Sequence, residues 1–274
     1  MTTEATSLDF GQVRLEGGLR LKGVKKESHP GKPLITIITA TFNAAELLPR
    51  TFKSIREQSY DNIEWIIVDG ASTDKTVELI KQNEDMVDYW ISERDKGIAD
   101  AWNKGLLIAS GEAILILNAG DTYTTNAVTV FANNFKPGKI VCASARVISE
   151  AGIFQGTFRA RPWKLSHGMH VPHNWCLVPR LIYEELGGYP ESKYSMDFAW
   201  FYKYYRRFGK DGFIVLPDIL GEYTLGGVSD KHYFKGFICN AEIMISAGRS
   251  PIIASLFCWA YIVKHWLFKK LIRA

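Results

Sequence analysis

From Leu34 onward the chain alternates between two kinds of apolar pattern. Leu34–Thr41 is apolar and β-branched along its length, which predicts a strand buried on both faces. Leu48, Phe52 and Ile55 then recur at helical spacing, predicting a helix that ends near Gln58. Ile63–Val68 repeats the strand pattern and stops on Asp69. A helix carrying Val77, Leu79 and Ile80 follows, with Ser72 or Thr73 as its expected N-cap. Val87–Ile91 predicts a third strand and residues 98–109 a third helix. The run from Glu112 to Leu117 predicts a fourth strand, apolar without alternation from Ala113 on. Strand and helix in strict alternation predict an α/β fold: a Rossmann-like, mostly parallel sheet of right-handed βαβ units flanked by helices.

After Tyr123 the periodicity is less regular. Lys139–Ala143, Ala145–Ile148 and Gly156–Arg159 predict short strands that extend the sheet. Pro179–Leu186 predicts a short helix stopped by Gly187-Gly188. Phe198, Phe201, Tyr202 and Tyr205 mark a helix ended by Gly209. Between Pro251 and Val263 nearly every residue is apolar, Trp259 and Tyr261 included. No acid follows Glu242, whereas Arg249, Lys264, Lys269, Lys270 and Arg273 do. That run is short for a bilayer span. It suits a helix lying on an anionic membrane surface, a helix packed on the domain, or a subunit contact. The chain therefore divides into a lead-in (1–33), two halves of one domain (34–123 and 124–230), and C-terminal helices (231–274).

Composition narrows the function. A net charge of +4 over 274 residues is too small to argue for nucleic acid. Cys142, Cys176, Cys239 and Cys258 show no metal-type or redox-type spacing, which fits a reducing, cytoplasmic setting. The N-terminus has no apolar segment of the signal-peptide kind. Residues 1–33 are polar, with basic positions from Arg14 to Lys32. Leu8, Phe10, Val13, Leu15, Leu19 and Leu21 are available for short edge strands, and the segment is expected to be a partly ordered lead-in without chemistry.

The predicted strands end on polar loops: Thr41-Phe42-Asn43, Asp69-Gly70, Glu93-Arg94-Asp95 and Asn118-Ala119-Gly120-Asp121. One such loop is an ordinary turn, since Asn, Gly and Asp favour turns. Loops of this kind at all four strand ends predict a polar cleft, because ligands bind at the carboxyl ends of parallel strands. A Gly-x-Gly-x-x-Gly fingerprint and a P-loop are both missing. A nucleoside diphosphate would instead be held through Mn²⁺ or Mg²⁺ on carboxylate oxygens, with Asp121 the candidate ligand. His167, His170 and His173 are spaced by three, but Gly168 and Pro172 argue against a helix that would align them. Arg159, Arg161, Trp163 and Lys164 are a cationic and aromatic mix that suits a solvated loop or, as the alternative, contact with a phosphate or a sugar ring. Asp197 stands at a helix N-terminus, where a carboxylate also serves as a cap.

Four segments together resemble a family 2 glycosyltransferase with the GT-A fold, of the bacterial surface-polysaccharide kind. They are Ile37–Asn43, Val68–Asp74, Ser92–Gly105 and Leu117–Asp121, and the likeness runs from Pro33 to about Ser229. The resemblance implies that Thr41, Phe42, Asn43 and Asp69 hold the base and ribose of a nucleotide sugar. It implies that Asp95, Asp100, Asn103 and Asn118 line the same donor site, and that Asp121 is the final acid of an Asp-x-Asp-type metal motif. His173 and Trp175 fall on the acceptor side. Asp197 falls on the catalytic base, and Gly226–Ser229 resembles a closing loop with His232, a further metal candidate, behind it. Three positions depart from the pattern: Gly70, Gly120 and Ala199 stand where many members carry acids.

The sequence thus predicts a metal-assisted, inverting glycosyltransferase. It would move a sugar from a nucleotide-sugar donor to a glycan or lipid-linked saccharide acceptor, at the inner face of the plasma membrane. A nucleotidyltransferase would want a glycine-rich basic loop after the first strand, which Thr41-Phe42-Asn43-Ala44 is not. The three missing acids keep a non-catalytic partner subunit of a polysaccharide assembly complex as the alternative.

Overall fold

The computed structural model describes residues 14–227 and 232–272, with side chains described as far as Val263. The strands run β1 (Leu15–Gly17), β2 (Ile35–Thr41), β3 (Ile63–Asp69), β4 (Tyr89–Ser92), β5 (Ala113–Ile116), β6 (Thr122–Tyr123), β7 (Ile140–Ile148), β8 (Phe154–Phe158), β9 (Cys176–Pro179) and β10 (Phe213–Thr224). The helices are α1 (Leu48–Arg56), α2 (Thr76–Gln82), α3 (Ile98–Ile108), α4 (Ala127–Asn133), α5 (Arg180–Leu186), α6 (Met196–Phe208), α7 (Tyr233–Ser246) and α8 (Pro251–Ile272). All ten strands join one sheet in the order β1-β4-β3-β2-β5-β9-β7-β10-β6, with β8 paired to β7.

The segment β4-β3-β2-β5 is parallel throughout. Its register aligns Thr41 with Asp69 and Asp69 with Ser92, so these strands end on one common edge. Beyond β5 the sheet becomes mixed: β9 runs antiparallel to both β5 and β7, and β10 lies parallel to β7. Side chains of each buried strand alternate between the two faces, as the pleat requires. Ile35, Ile37, Trp65, Ile67 and Leu115 pack under α1, α2 and α4, whereas Ile38, Ile66, Val68, Ile114 and Ile116 pack under α3, α5 and α6. A sheet covered on both faces is why these strands read as continuous apolar runs.

Several expectations are corrected. The strands expected at 139–143 and 145–148 are one continuous strand, β7. The long strand β10 was not legible: Pro217, Asp218 and Gly221 interrupt its pattern, and its register on β7 shifts twice. The cap expected for α2 is not made by Ser72 or Thr73. Helix α2 starts later, after Lys75, because the Ser72 hydroxyl is engaged by Asp69 and by the Asn43 N–H. Cys142 and Cys176, far apart in sequence, face each other across β7 and β9 with their sulfurs 3.2 Å apart as free thiols.

The part of the lead-in that is described, from Arg14, is an ordered strap. Strand β1 adds to the edge at β4, and the basic residues behind it meet acids of the sheet. Arg20 pairs with the buried Glu64, Lys22 with Glu84, Lys26 with the buried Asp88, and Lys32 with Asp61. Leu8, Phe10 and Val13 lie outside the described residues. Burial pushes the Glu64 carboxyl up, but the Ser110 N–H, the hydroxyls of Ser110 and Thr36, and Arg20 outweigh it, so its pKa is lowered. Removing one partner of a buried ion pair strands the other charge. Arg20→Ala is therefore expected to cost about 2–3 kcal/mol of unfolding free energy, measured by urea denaturation.

Candidate active site

The cleft is built at the common edge of the parallel strands. The Asp69 carboxylate, wholly buried at the end of β3, is its foundation. Oδ1 accepts from the hydroxyls of Thr41 and Ser72, and Oδ2 from the Ser72 N–H at 2.9 Å and the Ser92 hydroxyl at 2.6 Å. Four donors satisfy the buried charge. Asp69 is thus placed as a brace beneath the cleft, and Thr41, its partner, is buried with it. Both side chains that the resemblance implied for the nucleotide, Thr41 and Asp69, thus bond to one another beneath the loops.

Above the brace, Asn43 is exposed. Its Oδ1 accepts the Thr73 N–H at 2.8 Å, tying the loop after β2 to the loop after β3. Both loops turn through left-handed backbone, at Asn43 (φ 47°) and Ala71 (φ 60°). Phe42 stands on the rim with 64% of its surface exposed. Gly70 lies against the Asp95 carboxylate: a Cβ there would come within 2.6 Å of Asp95 Oδ2. Asp95 Oδ1 accepts the Gly97 N–H that opens α3. Asp100, in the first turn of α3, accepts the Lys96 N–H at 3.0 Å and faces Lys104, which also pairs with Glu93. Asn103 turns away from the donor loops. Its amide exchanges two 2.8 Å hydrogen bonds with the Tyr189 backbone, locking α3 to the second half.

At the end of β5 the Asn118–Asp121 turn carries Gly120 at φ +96°, a conformation L side chains rarely adopt, which accounts for glycine in place of an acid. Asp121 follows, only 5% exposed. Its Oδ2 accepts from Asn174 Nδ2, its Oδ1 accepts the Thr224 N–H at 3.0 Å, and its carbonyl accepts the Thr51 hydroxyl at 3.0 Å. Asn118 accepts from Trp102 Nε1 and donates to Asn174 Oδ1 at 3.4 Å. The sequence pointed to Asp121 and Asn118 but not to Asn174, Thr224 or Thr51. Asn174 sits inside the segment His173-Asn174-Trp175, where a 3-10 turn sends the three side chains in different directions. Trp175 is 1% exposed and packs edge-on against Tyr123.

The three histidines do not gather. His167 packs on Phe257 and His170 on Tyr261, both in α8. His173 is buried beside Trp102, with Nε2 2.7 Å from the Tyr189 hydroxyl, which in turn meets the Tyr183 hydroxyl at 2.6 Å. Burial pushes the His173 pKa down to about 3, so the ring is neutral. Asp197 opens α6 after Ser195, which holds a left-handed conformation (φ 57°). Oδ1 of Asp197 accepts the Phe198 N–H at 2.8 Å, yet burial raises its pKa above the usual carboxyl value. The Asp197 charge is felt by the Tyr189 phenol, whose pKa is raised chiefly by burial. Asp121 thus meets Asn174, Asp197 acts on Tyr189, and Tyr189 meets His173.

Among the described residues no three His, Cys, Asp or Glu side chains form a metal cage. His232 is exposed with its ring 5.6 Å from that of Tyr194, and Val228–Lys231 lie outside the described residues. Asp121 nevertheless offers the hard carboxylate oxygen that Mn²⁺ and Mg²⁺ favour as a ligand. One protein carboxylate, with a substrate diphosphate and water, is a common donor set for such ions.

A parallel sheet with a polar strand-end cleft, continued by a mixed half that carries a second carboxylate, is the architecture of a GT-A glycosyltransferase. The comparisons agree, and the chain belongs to Glycosyl transferase family 2, whose profile matches residues 36–211. It is 38% identical over 108 residues to an uncharacterized glycosyltransferase of Mycobacterium tuberculosis, a match spanning 39% of this chain and 41% of that one. A PGL/p-HBAD biosynthesis glycosyltransferase of Mycobacterium bovis is 24% identical over 85% of this chain and 93% of its own. Among solved structures, Staphylococcus aureus TarS 1–349 in complex with UDP-GlcNAc superposes with a TM-score of 0.63 at 15% identity, covering 85% of this chain and 73% of that one. The mannosyltransferase PcManGT from Pyrobaculum calidifontis, in complex with GDP-Man and Mn²⁺, gives 0.61 at 21% identity, covering 89% and 74%.

The neutral His173 generates a prediction about stability. Its folded pKa lies below the ordinary value of 6.5, so the unfolded chain takes up the proton first as pH falls. Stability is expected to drop by up to about 1.4 kcal/mol per pH unit below about pH 6.5 on account of this group. Urea titrations of wild type and His173→Gln at pH 7, 6 and 5 should show that slope reduced in the variant.

Proposed function

We propose that the chain transfers one sugar from a nucleotide-sugar donor to a glycan acceptor in cell-surface polysaccharide synthesis, with inversion, Asp197 acting as general base. The observation that carries this reading is the Asp197 carboxyl, raised in pKa by burial and close enough to Tyr189 to raise its phenol pKa, while Tyr189 meets His173 beside Asn174, the partner of Asp121. A carboxylate of raised basicity takes a proton from the acceptor hydroxyl as that oxygen attacks the anomeric carbon. Attack on the face opposite the departing diphosphate inverts the configuration. Asn174 and the Thr224 N–H hold Asp121 in place, and Asp121 would hold Mn²⁺ or Mg²⁺. When bound, such an ion neutralises charge developing on the departing diphosphate. Exposed Phe42 offers an aromatic face to the base, beside Asn43, Asp95 and Asp100. Support for the pathway comes from relatives named for PGL/p-HBAD and, putatively, teichuronic acid biosynthesis, the latter a Bacillus subtilis protein 35% identical over 95 residues.

Titration calorimetry with UDP, GDP, CDP and dTDP, with and without Mn²⁺, tests the donor half. One nucleotide is expected to bind in a metal-dependent way and to lose at least tenfold in affinity in Asp121→Ala. Asp197→Asn is expected to keep that binding while turnover falls at least 100-fold, the order of a lost general base. Wild-type turnover should decline as pH falls towards the raised Asp197 pKa, since protonation removes the base. A folded protein that binds none of the four would favour the non-catalytic subunit.

The proposed acceptor is lipid-linked, met at the inner surface of the plasma membrane. Ile252, Leu256, Trp259 and Val263 fall on one side of α8 and are all largely exposed, from 49% to 73%. Its inner side is held by Ala254, Phe257 and Tyr261 against α7 and the His167–His170 loop. No acid follows Glu242, and five basic residues do. Among the described residues no helix is long and apolar enough to cross a membrane. An apolar stripe with basic flanks suits the anionic interface. Leu256→Glu/Trp259→Glu is expected to lose co-sedimentation with vesicles containing phosphatidylglycerol, while nucleotide binding is unchanged. Equal sedimentation of the two proteins would refute the membrane contact.

A further inference from the structure

The cleft edge carries five carboxylates, and the structure separates one from the others. Asp69 is enclosed by four donors. Glu93 and Asp100 share an ion pair with Lys104. Asp121 is held by Asn174 and Thr224. Asp95 alone of the five has one hydrogen bond and no ion pair among the described residues: Oδ1 accepts the Gly97 N–H at 2.9 Å, and Oδ2 has no hydrogen-bond partner there. That second oxygen lies over Gly70, where any side chain would collide with it.

The surroundings of Asp95 Oδ2 define a shape. The Gly70 N–H bonds the Thr41 carbonyl at 2.9 Å, so Gly70 sits beside the residue that precedes Phe42. The buried Gly70 is thus flanked by the half-buried Asp95 carboxylate, and the exposed Phe42 follows the residue whose carbonyl Gly70 binds. Such a grouping suits a flat heteroaromatic ring that offers an N–H to a carboxylate, with its face available for stacking.

We propose that Asp95 reads the nucleobase of the donor and sets its specificity, selecting bases with an N–H on the pairing edge. Uracil and thymine present N3–H, and guanine presents N1–H and its 2-amino group. Cytosine presents a bare N3 acceptor there and adenine a bare N1, and each would set a lone pair against the carboxylate. Gly70 is the positioning residue, since its missing side chain is what seats Asp95. This inference rests on the donor-site reading above and adds which residue discriminates and which base class it accepts.

The test is calorimetry of the full chain with UDP, GDP, CDP and ADP in Mn²⁺, for wild type, Asp95→Asn and Gly70→Ala. Wild type should prefer UDP or GDP over CDP and ADP by at least tenfold. In Asp95→Asn the amide can donate to N3 of cytosine or N1 of adenine, so that preference should shrink at least tenfold and CDP or ADP should gain in absolute affinity. Gly70→Ala, which displaces Asp95 without touching its chemistry, should reduce the same preference. An unchanged ranking in Asp95→Asn would overturn the proposal. So would an equal loss for all four nucleotides, which would assign Asp95 to the ribose or to loop structure. Failure of wild type to bind any nucleotide would instead strike the donor-site reading itself.

Discussion

A carboxylate with no access to solvent ties together the three strand ends on which the cleft is built. Asp69 ends β3, and its partners come from β2 (Thr41), from its own following loop (Ser72) and from β4 (Ser92). Burying that charge is tolerable only because all its donors are in place. The loops after β2 and β3 inherit their positions from this knot: the Ser72 hydroxyl that serves Asp69 also receives the Asn43 N–H, and Asn43 in turn receives Thr73. Phe42, Gly70 and Asp95 are arranged around the knot, so the open part of the cleft depends on a residue that is itself buried.

The second half of the molecule is attached to this edge by polar contacts in a few places. Asn103 binds the Tyr189 backbone on both sides of its amide, and Asn174 bridges Asn118 and Asp121. Through these contacts the His173-Asn174 turn and the turn after Gly188 are held to the parallel half, with Asp197 close enough to Tyr189 to raise its phenol pKa. The aromatic wall of Trp102, His173, Tyr189 and Trp200 excludes water there. Exclusion of water accounts both for a histidine that stays neutral and for a carboxyl whose pKa is raised. Acid–base tuning in this region follows from apolar packing with few countercharges nearby.

Much of the parallel half was legible from residue order, because a strand buried on both faces must be apolar throughout and must stop where polarity returns. The boundaries of β2, β3 and β5, and the acids that terminate or follow them, were placed to within a residue or two. The second half was far less legible. Strand β10 is broken by proline and glycine and only partly covered, so its alternation is lost; β9 is four residues long and follows a 3-10 turn. Trp175 and Asn174 illustrate the limit: adjacent residues in one motif, one faces the core and the other the cleft.

The sequence by itself determined the fold class, the family and the polar loops that end the parallel strands. Those properties are local: they depend on apolar runs, on the residues that end them, and on the order in which four segments occur. The tertiary structure alone decided which acids are free to act. Asp69, Glu93, Asp95, Asp100 and Asp121 look alike as strand-end carboxylates, but a carboxylate's function depends on which donors surround it and on how much water reaches it. Those partners come from residues as far away as Asn174 and Thr224, brought to Asp121 only when the two halves of the sheet close on one another.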